Sequence, residues 1–254
     1  VGASQVYAVK KVAFAGNKRR IVSITREIEI IRNIRHQNLV RLLDFLFEKD
    51  HCLILYNYLP NGNLHDVLHE KNPLPCLEWN VRYRIAIGIA HGLTYLHYDC
   101  HPAIVHCAIK PKNILLDSDM DPYIANFGIA KLLDQSSSPT SSSVPDNTYT
   151  TAKTREFDVY SYGMVLLQLI TRKKAVDPSF MNGTEIGIWV RTRWRETGDI
   201  HTIVDSSLAE EVLNSNVLEQ VTLLLLLALS CTKKNPHMRP SMRDVIKKLK
   251  DVNP

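Results

Sequence analysis

The chain has 254 residues, enough for one large domain or two small ones with a well-buried core. Apolar residues make up 45% and charged residues 22%, which is ordinary for a globular protein and excludes a collagen-like, fully disordered or coiled-coil chain. The 31 Lys and Arg residues outnumber the 26 Asp and Glu residues, giving a net charge of +5. Because this mild excess is spread along the chain, it does not predict nucleic-acid binding, which needs a concentrated basic face.

The five cysteines are widely spaced and form no C-x-x-C pair. This odd number predicts neither a disulfide framework nor a zinc knuckle, so we expect a reducing compartment. The longest apolar run, residues 221–229, is far shorter than the ~20 residues of a membrane span and is expected to form a buried helix. Because the chain begins with Val1 rather than Met, we expect a fragment of a longer protein.

Strand and helix patterns alternate in the first part of the chain. Alternating β-branched and aromatic residues predict a strand over 6–10, and isoleucines at three- and four-residue steps predict a helix over 23–35. Two more strands are predicted over 39–47 and 52–58, followed by a turn at 60–63. This order predicts a small lobe built on a sheet.

The remainder is mostly helical in pattern. Apolar stripes predict four helices, over residues 79–98, 158–171, 218–231 and 241–249. Short apolar runs between the first two helices predict short strands and loops that carry polar residues, at 104–105, 114–116 and 123–124. This part of the chain therefore predicts a second, helical lobe.

Polar residues suited to chemistry cluster in three strings: Ala8-Val9-Lys10 with Glu27 on the next helix, IVHCAIKPKNILLD at 104–117, and Asn126-Phe127-Gly128. In order and spacing these resemble the lysine–glutamate pair, the catalytic loop and the D-F-G motif of protein kinases. The string DVYSYG, beginning at Asp158, resembles the helix that anchors the large kinase lobe. Arg239-Pro240 resembles the late arginine that holds the end of the activation segment.

The resemblance covers essentially the whole chain. Within protein kinases, the strings YLHYDCHPAIVH and NTYTTAKTREFDVYSYG are similar to plant leucine-rich-repeat receptor-like kinases, and especially to receptors for elicitor peptides. The resemblance implies an α+β, two-lobed fold, with a truncated β-rich lobe over residues 1–59 and a helical lobe over 60–254. It also implies a domain on the cytoplasmic side of the plasma membrane if an upstream receptor part is joined to it, and a cytoplasmic one otherwise.

The same resemblance assigns roles to individual residues. ATP phosphates would meet Lys10, which Glu27 orients, and Lys110; adenine would lie at Asn57 and Leu59, with Tyr56 as gatekeeper. Mg²⁺ would meet Asn113 and Asn126, the second of which stands where the family has an aspartate. His106 and Phe127 are expected to pack in the core rather than act on a ligand.

Several acidic and regulatory parts are replaced. Ala108 stands where the family has its catalytic base, and loss of a general base costs about 10²–10⁴ in rate. Cys107 replaces the arginine that pairs with a phosphorylated activation loop, or alternatively is a reactive thiol. Asn126 brings no negative charge to hold Mg²⁺. The Gly-rich loop is expected to be missing, because the chain begins just before the lysine strand and Gly2 alone is no phosphate cradle.

The activation segment, about residues 126–148, is shortened and lacks the family's G-T-x-G-Y-x-A-P-E run. One interpretation makes Val144-Pro145-Asp146 a degenerate A-P-E, in which Asp146 pairs with Arg239; in the other, the platform that seats a protein substrate is deleted. Residues 134–148 contain six serines and are expected to form a mobile loop, with phosphorylation by another kinase as the alternative.

Three functions remain open at this point. The first is a pseudokinase that binds an active receptor-like kinase or a cytoplasmic signalling protein, and not nucleic acid. The second is a weakly active ATP-dependent serine/threonine kinase that uses Lys10, Lys110 and Asn113. The third is a decayed gene product without function.

Overall fold

The computed structural model describes residues 6–14, 17–127, 130–133, 154–180 and 183–252. Its N-terminal part is a three-stranded antiparallel sheet covered by one helix. The elements are β1 (Tyr7–Ala13), α1 (Lys18–Ile31), β2 (Leu42–Phe47) and β3 (His51–Asn57). The strand order is β1-β3-β2, so β3 is central, and Lys10 of β1 lies opposite Ile54 of β3.

Helix α1 begins earlier than its isoleucine pattern predicts. The side chain of Asn17 accepts the backbone N–H groups of Arg19 and Arg20, and such a cap supplies partners that the first turn of a helix lacks. The spacing of the isoleucines predicted a buried helix face, and Ile24, Ile28 and the other buried members of the stripe do pack in the core with the sheet. The helix ends at Ile31, four residues before the predicted end.

The rest of the chain is mainly helical. Its helices are α2 (Leu64–His69), α3 (Trp79–Thr94), α4 (Arg155–Thr171), α5 (Ile186–Thr197), α6 (Ser215–Cys231) and α7 (Met242–Val252). The four predicted helices correspond to α3, α4, α6 and α7, whereas α2 and α5 come in addition. After α3 the chain continues into a wider helical turn at Tyr95–Asp99, so the apolar stripe of residues 79–98 spans two elements.

Helix α6 contains the longest apolar run and forms the centre of the helical part. Val221, Leu224, Leu225 and Leu227 are buried, and α6 packs closely against α4, as expected for a core helix. Across the described ranges, we find no helix that combines the length and the apolar character needed to cross a bilayer.

Five short strands connect the two parts: β4 (Gly62–Asn63), β5 (Ala103–Val105), β6 (Ile114–Leu116), β7 (Pro122–Ile124) and β8 (Lys131–Leu133). Strands β4, β6 and β7 form one small sheet, and β5 pairs with β8. The backbone N–H of Val40 donates to the carbonyl of Ile124 at 3.0 Å, which joins the segment before β2 to this small sheet. The mixed α+β architecture, with a small sheet-rich part and a larger helical part, is therefore confirmed.

Candidate functional site

The first site element is a closed ion pair between β1 and α1. Lys10 Nζ lies 2.8 Å from Oε1 and 3.1 Å from Oε2 of Glu27. Alternation along β1 places Lys10 on the strand face turned to α1, while Glu27 lies on the helix face that packs against the sheet. Glu27 is only 5% exposed, so Lys10 is the cation that compensates a buried carboxylate.

Helix α4 holds the loop between β5 and β6 through hydrogen bonds to the carboxylate of Asp158. The carboxylate of Asp158 accepts the backbone N–H groups of His106 and Cys107, both at 2.8 Å, and lies 2.9 Å from Nε2 of His97. These contacts fix Cys107 at a φ of 64°, a left-handed conformation that non-glycine residues rarely adopt. The sequence indicated only that Asp158 begins an anchoring helix. The signal it also carried is an acidic residue at the start of a mostly apolar run.

His106 is a structural residue, as the sequence predicts. It is fully buried; its Nδ1 accepts the N–H of Ala108, and its Nε2–H donates to the carbonyl of Ala125, each at 3.2 Å. Phe127, which is also buried, meets its ring edge-on at 4.9 Å. Burial holds the pKa of His106 below its ordinary value of 6.5, against a smaller opposing effect of Asp158.

A chain of side-chain amides crosses the site from the loop to β1. Asn113 donates its amide to the carbonyl of Ala108 at 2.7 Å. Asn126 donates its own amide to Oδ1 of Asn113 at 3.2 Å, and its Oδ1 lies 3.5 Å from Lys10 Nζ. Each link therefore pairs a donor with an acceptor.

These residues line a cleft of 390 Å³ between the sheet-rich and helical parts, a volume within the usual range for small-molecule sites. Of the predicted site residues, six line this cleft, whereas Glu27 and Lys110 do not; the six are Lys10, Tyr56, Asn57, Leu59, Asn113 and Asn126. Burial raises the pKa of the Tyr56 hydroxyl, with a smaller contribution from Glu27. The sequence missed Lys112, which also lines the cleft and which no motif identifies.

Three other predicted positions, Lys110, Cys107 and Ala108, do not line this cleft. Lys110 is exposed and borders a neighbouring groove with His65 and Ile109, so its contact with a transferred phosphate stays a prediction. Cys107 is 5% exposed, which argues against a reactive thiol because reactive cysteines need solvent access. Ala108 offers a methyl group where a general base would stand.

The donor set does not fit Mg²⁺. Magnesium is usually held in proteins by one or two carboxylates together with water and phosphate oxygens. At the expected position the side chains are those of Asn113 and Asn126, both neutral, and they bond to each other at 3.2 Å. In the part of the chain that the structure describes, no group of three or more His, Cys, Asp or Glu side chains is placed to hold a metal ion.

A larger cleft of 890 Å³ lies elsewhere, beside the N-terminus of α4. Arg239 lines it, donates to the carbonyls of Glu156 at 2.8 Å and Lys233 at 2.9 Å, and stacks over Tyr160. These contacts join helix ends, and none of the residues predicted to meet ATP or Mg²⁺ lines this cleft, so the smaller cleft is the candidate site. The proposed partner of Arg239, Asp146, lies outside the described residues, as do Gly2, Gly128 and the predicted mobile loop at 134–148.

Comparison with known proteins agrees with this geometry. The family model for the protein kinase domain matches residues 1–249. A receptor-like protein kinase of Ipomoea nil is 56% identical over 254 aligned positions, which cover 96% of this chain and 23% of that protein. The leucine-rich repeat receptor-like protein kinases PEPR1 and PEPR2 of Arabidopsis thaliana are 49% and 47% identical, each over 99% of this chain and 24% of their own length.

The chain thus spans about a quarter of the length of these relatives. The family match covers the lysine strand, the loop between β5 and β6, and the helices, and the relatives include the class of plant receptor that the sequence resembles. The chain belongs to the protein kinase domain family, and its relatives are plant leucine-rich-repeat receptor-like kinases.

Proposed function

We propose that this chain is a signalling module of a receptor-like kinase that binds a partner and does not transfer phosphate. The observation that carries the proposal is Ala108. Its methyl group stands on a loop whose backbone N–H groups at His106 and Cys107 bond to Asp158, and a methyl group cannot accept a proton. The neutral pair of Asn113 and Asn126 supports the same conclusion for the metal site.

The retained parts support a folded module rather than a decayed one. The Lys10–Glu27 pair, the Asp158 anchor and the continuous core all remain. The loop is thus held in place even though, under this proposal, the chain does not transfer phosphate. A scaffold that docks on an active receptor-like kinase, or on a cytoplasmic signalling protein, needs this shape and not the chemistry. We place it at the cytoplasmic side of the plasma membrane when joined to a receptor part.

The test is transfer of a radiolabelled terminal phosphoryl group from ATP, with Mg²⁺ present, to the protein itself and to a generic serine/threonine substrate. Active kinases turn over at ~1–100 s⁻¹, and loss of the base alone lowers this by about 10²–10⁴. We expect incorporation no faster than in a Lys10→Met control purified in parallel. Incorporation that is metal-dependent and abolished in that control would overturn the proposal.

A weakly active serine/threonine kinase is the second candidate, favoured by the intact Lys10–Glu27 ion pair in a lined cleft. Activity of the parent distinguishes the two, because a weak kinase transfers phosphate without any substitution and a pseudokinase does not. The double variant Ala108→Asp/Asn126→Asp then measures what the two positions contribute, since a weak kinase gains at least about 10²-fold when its base and metal ligand return.

The decayed gene product is the third candidate and makes a physical prediction of its own. A chain without selected stability is expected to unfold at low temperature without cooperativity. Differential scanning calorimetry of the purified chain therefore tests this candidate, and a single cooperative unfolding transition excludes a decayed gene product.

A further inference from the structure

The amide chain at the cleft determines what form of ligand the cleft accepts. We propose that the cleft around Lys10 binds a purine nucleotide that carries no divalent cation, and that the Asn126 side chain sets this preference. The inference rests on the proposed function, because it concerns a kinase-like cleft that no longer supports transfer. It differs from the usual ligand of the family in one respect, the exclusion of the metal.

The orientation of Asn126 follows from its neighbours. Its Oδ1 faces the ammonium of Lys10 at 3.5 Å, and its Nδ2 faces Oδ1 of Asn113 at 3.2 Å. Exchanging the oxygen and nitrogen would set the amide donors against Lys10 and two oxygens against each other. Asn113 is fixed in turn, because its own amide donates to the carbonyl of Ala108 at 2.7 Å. The network therefore has one consistent arrangement.

In that arrangement the N–H of the Asn126 side chain occupies the acceptor oxygen that a Mg²⁺ ion would need. The side-chain oxygen of Asn113, which would ligate Mg²⁺, already accepts the Asn126 N–H. A magnesium ion must displace this bond and gains two neutral oxygens, with no carboxylate to offset the cost of removing its tightly held water. An aspartate at position 126 would instead set a carboxylate against the Asn113 oxygen, and a bridging cation would relieve that repulsion.

The charges on the cleft wall favour an anionic ligand. The charged side chains among the residues that line the cleft are Lys10 and Lys112, and the carboxylate of Glu27 stands behind Lys10. An uncomplexed polyphosphate therefore meets two ammonium groups without facing a carboxylate. When Mg²⁺ is bound to the phosphates it cancels part of their charge, which weakens the attraction to both lysines.

The remaining lining suits the other half of a nucleotide. Ala8, Val40 and Leu115 contribute apolar surface to the same 390 Å³ cleft. A ligand with a flat heterocycle and an anionic tail matches apolar walls combined with lysines, since such sites bury the ring and orient it with few polar groups. The chemical class is that of purine nucleoside di- and triphosphates.

The test is isothermal titration of the purified chain with ATP, once in excess EDTA and once in excess Mg²⁺. We expect the apparent Kd for ATP to rise about tenfold when Mg²⁺ is added, since two partly exposed ion pairs are weakened. Adenosine, which has no phosphates, serves as the ligand control, and its affinity is expected to be equal in both buffers. Tighter ATP binding with Mg²⁺ overturns the inference, and so does the absence of binding in EDTA.

A variant pair tests the role of Asn126. Asn126→Asp is expected to reverse the order, so that ATP binds more tightly with Mg²⁺ than in EDTA. Asn216→Asp, at an exposed position in α6, adds the same charge away from the cleft and is expected to keep the order of the parent. If Asn126→Asp binds ATP without any preference for Mg²⁺, the amide does not set the preference and that part of the inference fails.

These outcomes are separable from those of the proposed function. The titration measures binding, whereas the proposed function is tested by phosphoryl transfer. A chain that binds no nucleotide loses the further inference but keeps its role as a partner-binding module. A chain that transfers phosphate in the presence of Mg²⁺ loses the proposed function, whatever the titration shows.

Discussion

The carboxylate of Asp158 accepts the backbone N–H of Cys107 at 2.8 Å, although the two residues lie 51 positions apart in the chain. The contact joins the first turn of α4 to the loop between β5 and β6 and holds Cys107 at its positive φ. Nothing in this geometry depends on the side chain of Ala108, the next residue. The scaffold of the loop and its chemistry are therefore independent, and one can persist after the other is lost.

Replacing Asp158 is expected to be severe. Asp158→Ala removes the buried carboxylate that accepts the backbone N–H groups of His106 and Cys107 and lies 2.9 Å from Nε2 of His97. The loss of a buried, hydrogen-bonded carboxylate typically costs about 3–5 kcal/mol, so we expect a fall of this size in the free energy of unfolding. Urea denaturation measures it.

The exposed acid Glu48 supplies a control for that variant. Glu48→Ala removes the same charge from the surface and is expected to change the free energy of unfolding by less than about 0.5 kcal/mol. If Asp158→Ala costs no more than Glu48→Ala, the carboxylate does not hold the loop.

Periodicity predicted the long elements well and their ends poorly. The apolar stripes predicted α3, α4, α6 and α7, because each of these helices packs one face into the core and that face needs apolar residues at helical spacing. The start of α1 was missed because it depends on the cap formed by Asn17, and α5 was missed because Arg191 and other charged residues interrupt its apolar pattern.

Motif spacing predicted that certain residues lie together, but not how they connect. Lys10, Asn113 and Asn126 line one cleft and Glu27 pairs with Lys10, whereas the binding roles of these residues stay predictions. Which way the Asn126 amide points is set by atoms of β1 and of the loop together, and no sequence pattern encodes it. For the same reason Lys112 was not distinguished from Lys110, since both are lysines in one short string.

The pH dependence of stability follows from one buried and three half-buried histidines. Burial is the largest cause that holds the pKa values of His36, His69, His91 and His106 below 6.5. The unfolded chain therefore binds more protons than the native chain as pH falls below about 6.5, so stability is full above that pH and is lost below it. We expect the Tm to be level above about pH 7 and to fall towards pH 5.

His106 is the histidine best suited to test this dependence. A protonated ring would set its Nδ1–H against the N–H of Ala108, from which Nδ1 now accepts. His106→Gln can keep one donor and one acceptor without titrating, so we expect a lower Tm at pH 8 and a shallower decline on acidification. A decline as steep as that of the parent would show that His106 does not contribute.

Gly163 allows α4 and α6 to approach closely. A Cβ at this position would lie 2.7 Å from the Cβ of Cys231 and 3.0 Å from the carbonyl of Ala228, atoms that belong to the opposing helix and cannot turn away. Gly163→Ala is therefore expected to destabilise the protein by about 1–3 kcal/mol, although alanine favours a helix over glycine by ~1 kcal/mol. Ser161→Ala, two residues earlier in α4, is the control, and thermal denaturation of both variants checks the difference.

The Lys10–Glu27 pair is expected to be asymmetric in its energetics. Lys10→Met strands the buried Glu27 carboxylate, whereas Glu27→Gln leaves a lysine side chain that is 38% exposed and can turn to water. We expect a loss of about 1–3 kcal/mol for Lys10→Met and less than about 1 kcal/mol for Glu27→Gln. The double variant is expected to cost about 1 kcal/mol less than the sum, and urea denaturation of the four proteins closes the cycle.

An exposed pair of equal length provides the comparison. Lys174 Nζ lies 2.8 Å from Oε1 of Glu70, as in the Lys10–Glu27 pair, but its two side chains are 44% and 50% exposed. Solvent screens such a pair, so its coupling energy is expected to stay below about 0.5 kcal/mol. Equal coupling in both cycles would mean that burial of Glu27 contributes nothing. A larger coupling at Lys10 means that this ion pair stabilises the fold itself, which gives the chain a reason to retain it without catalysis.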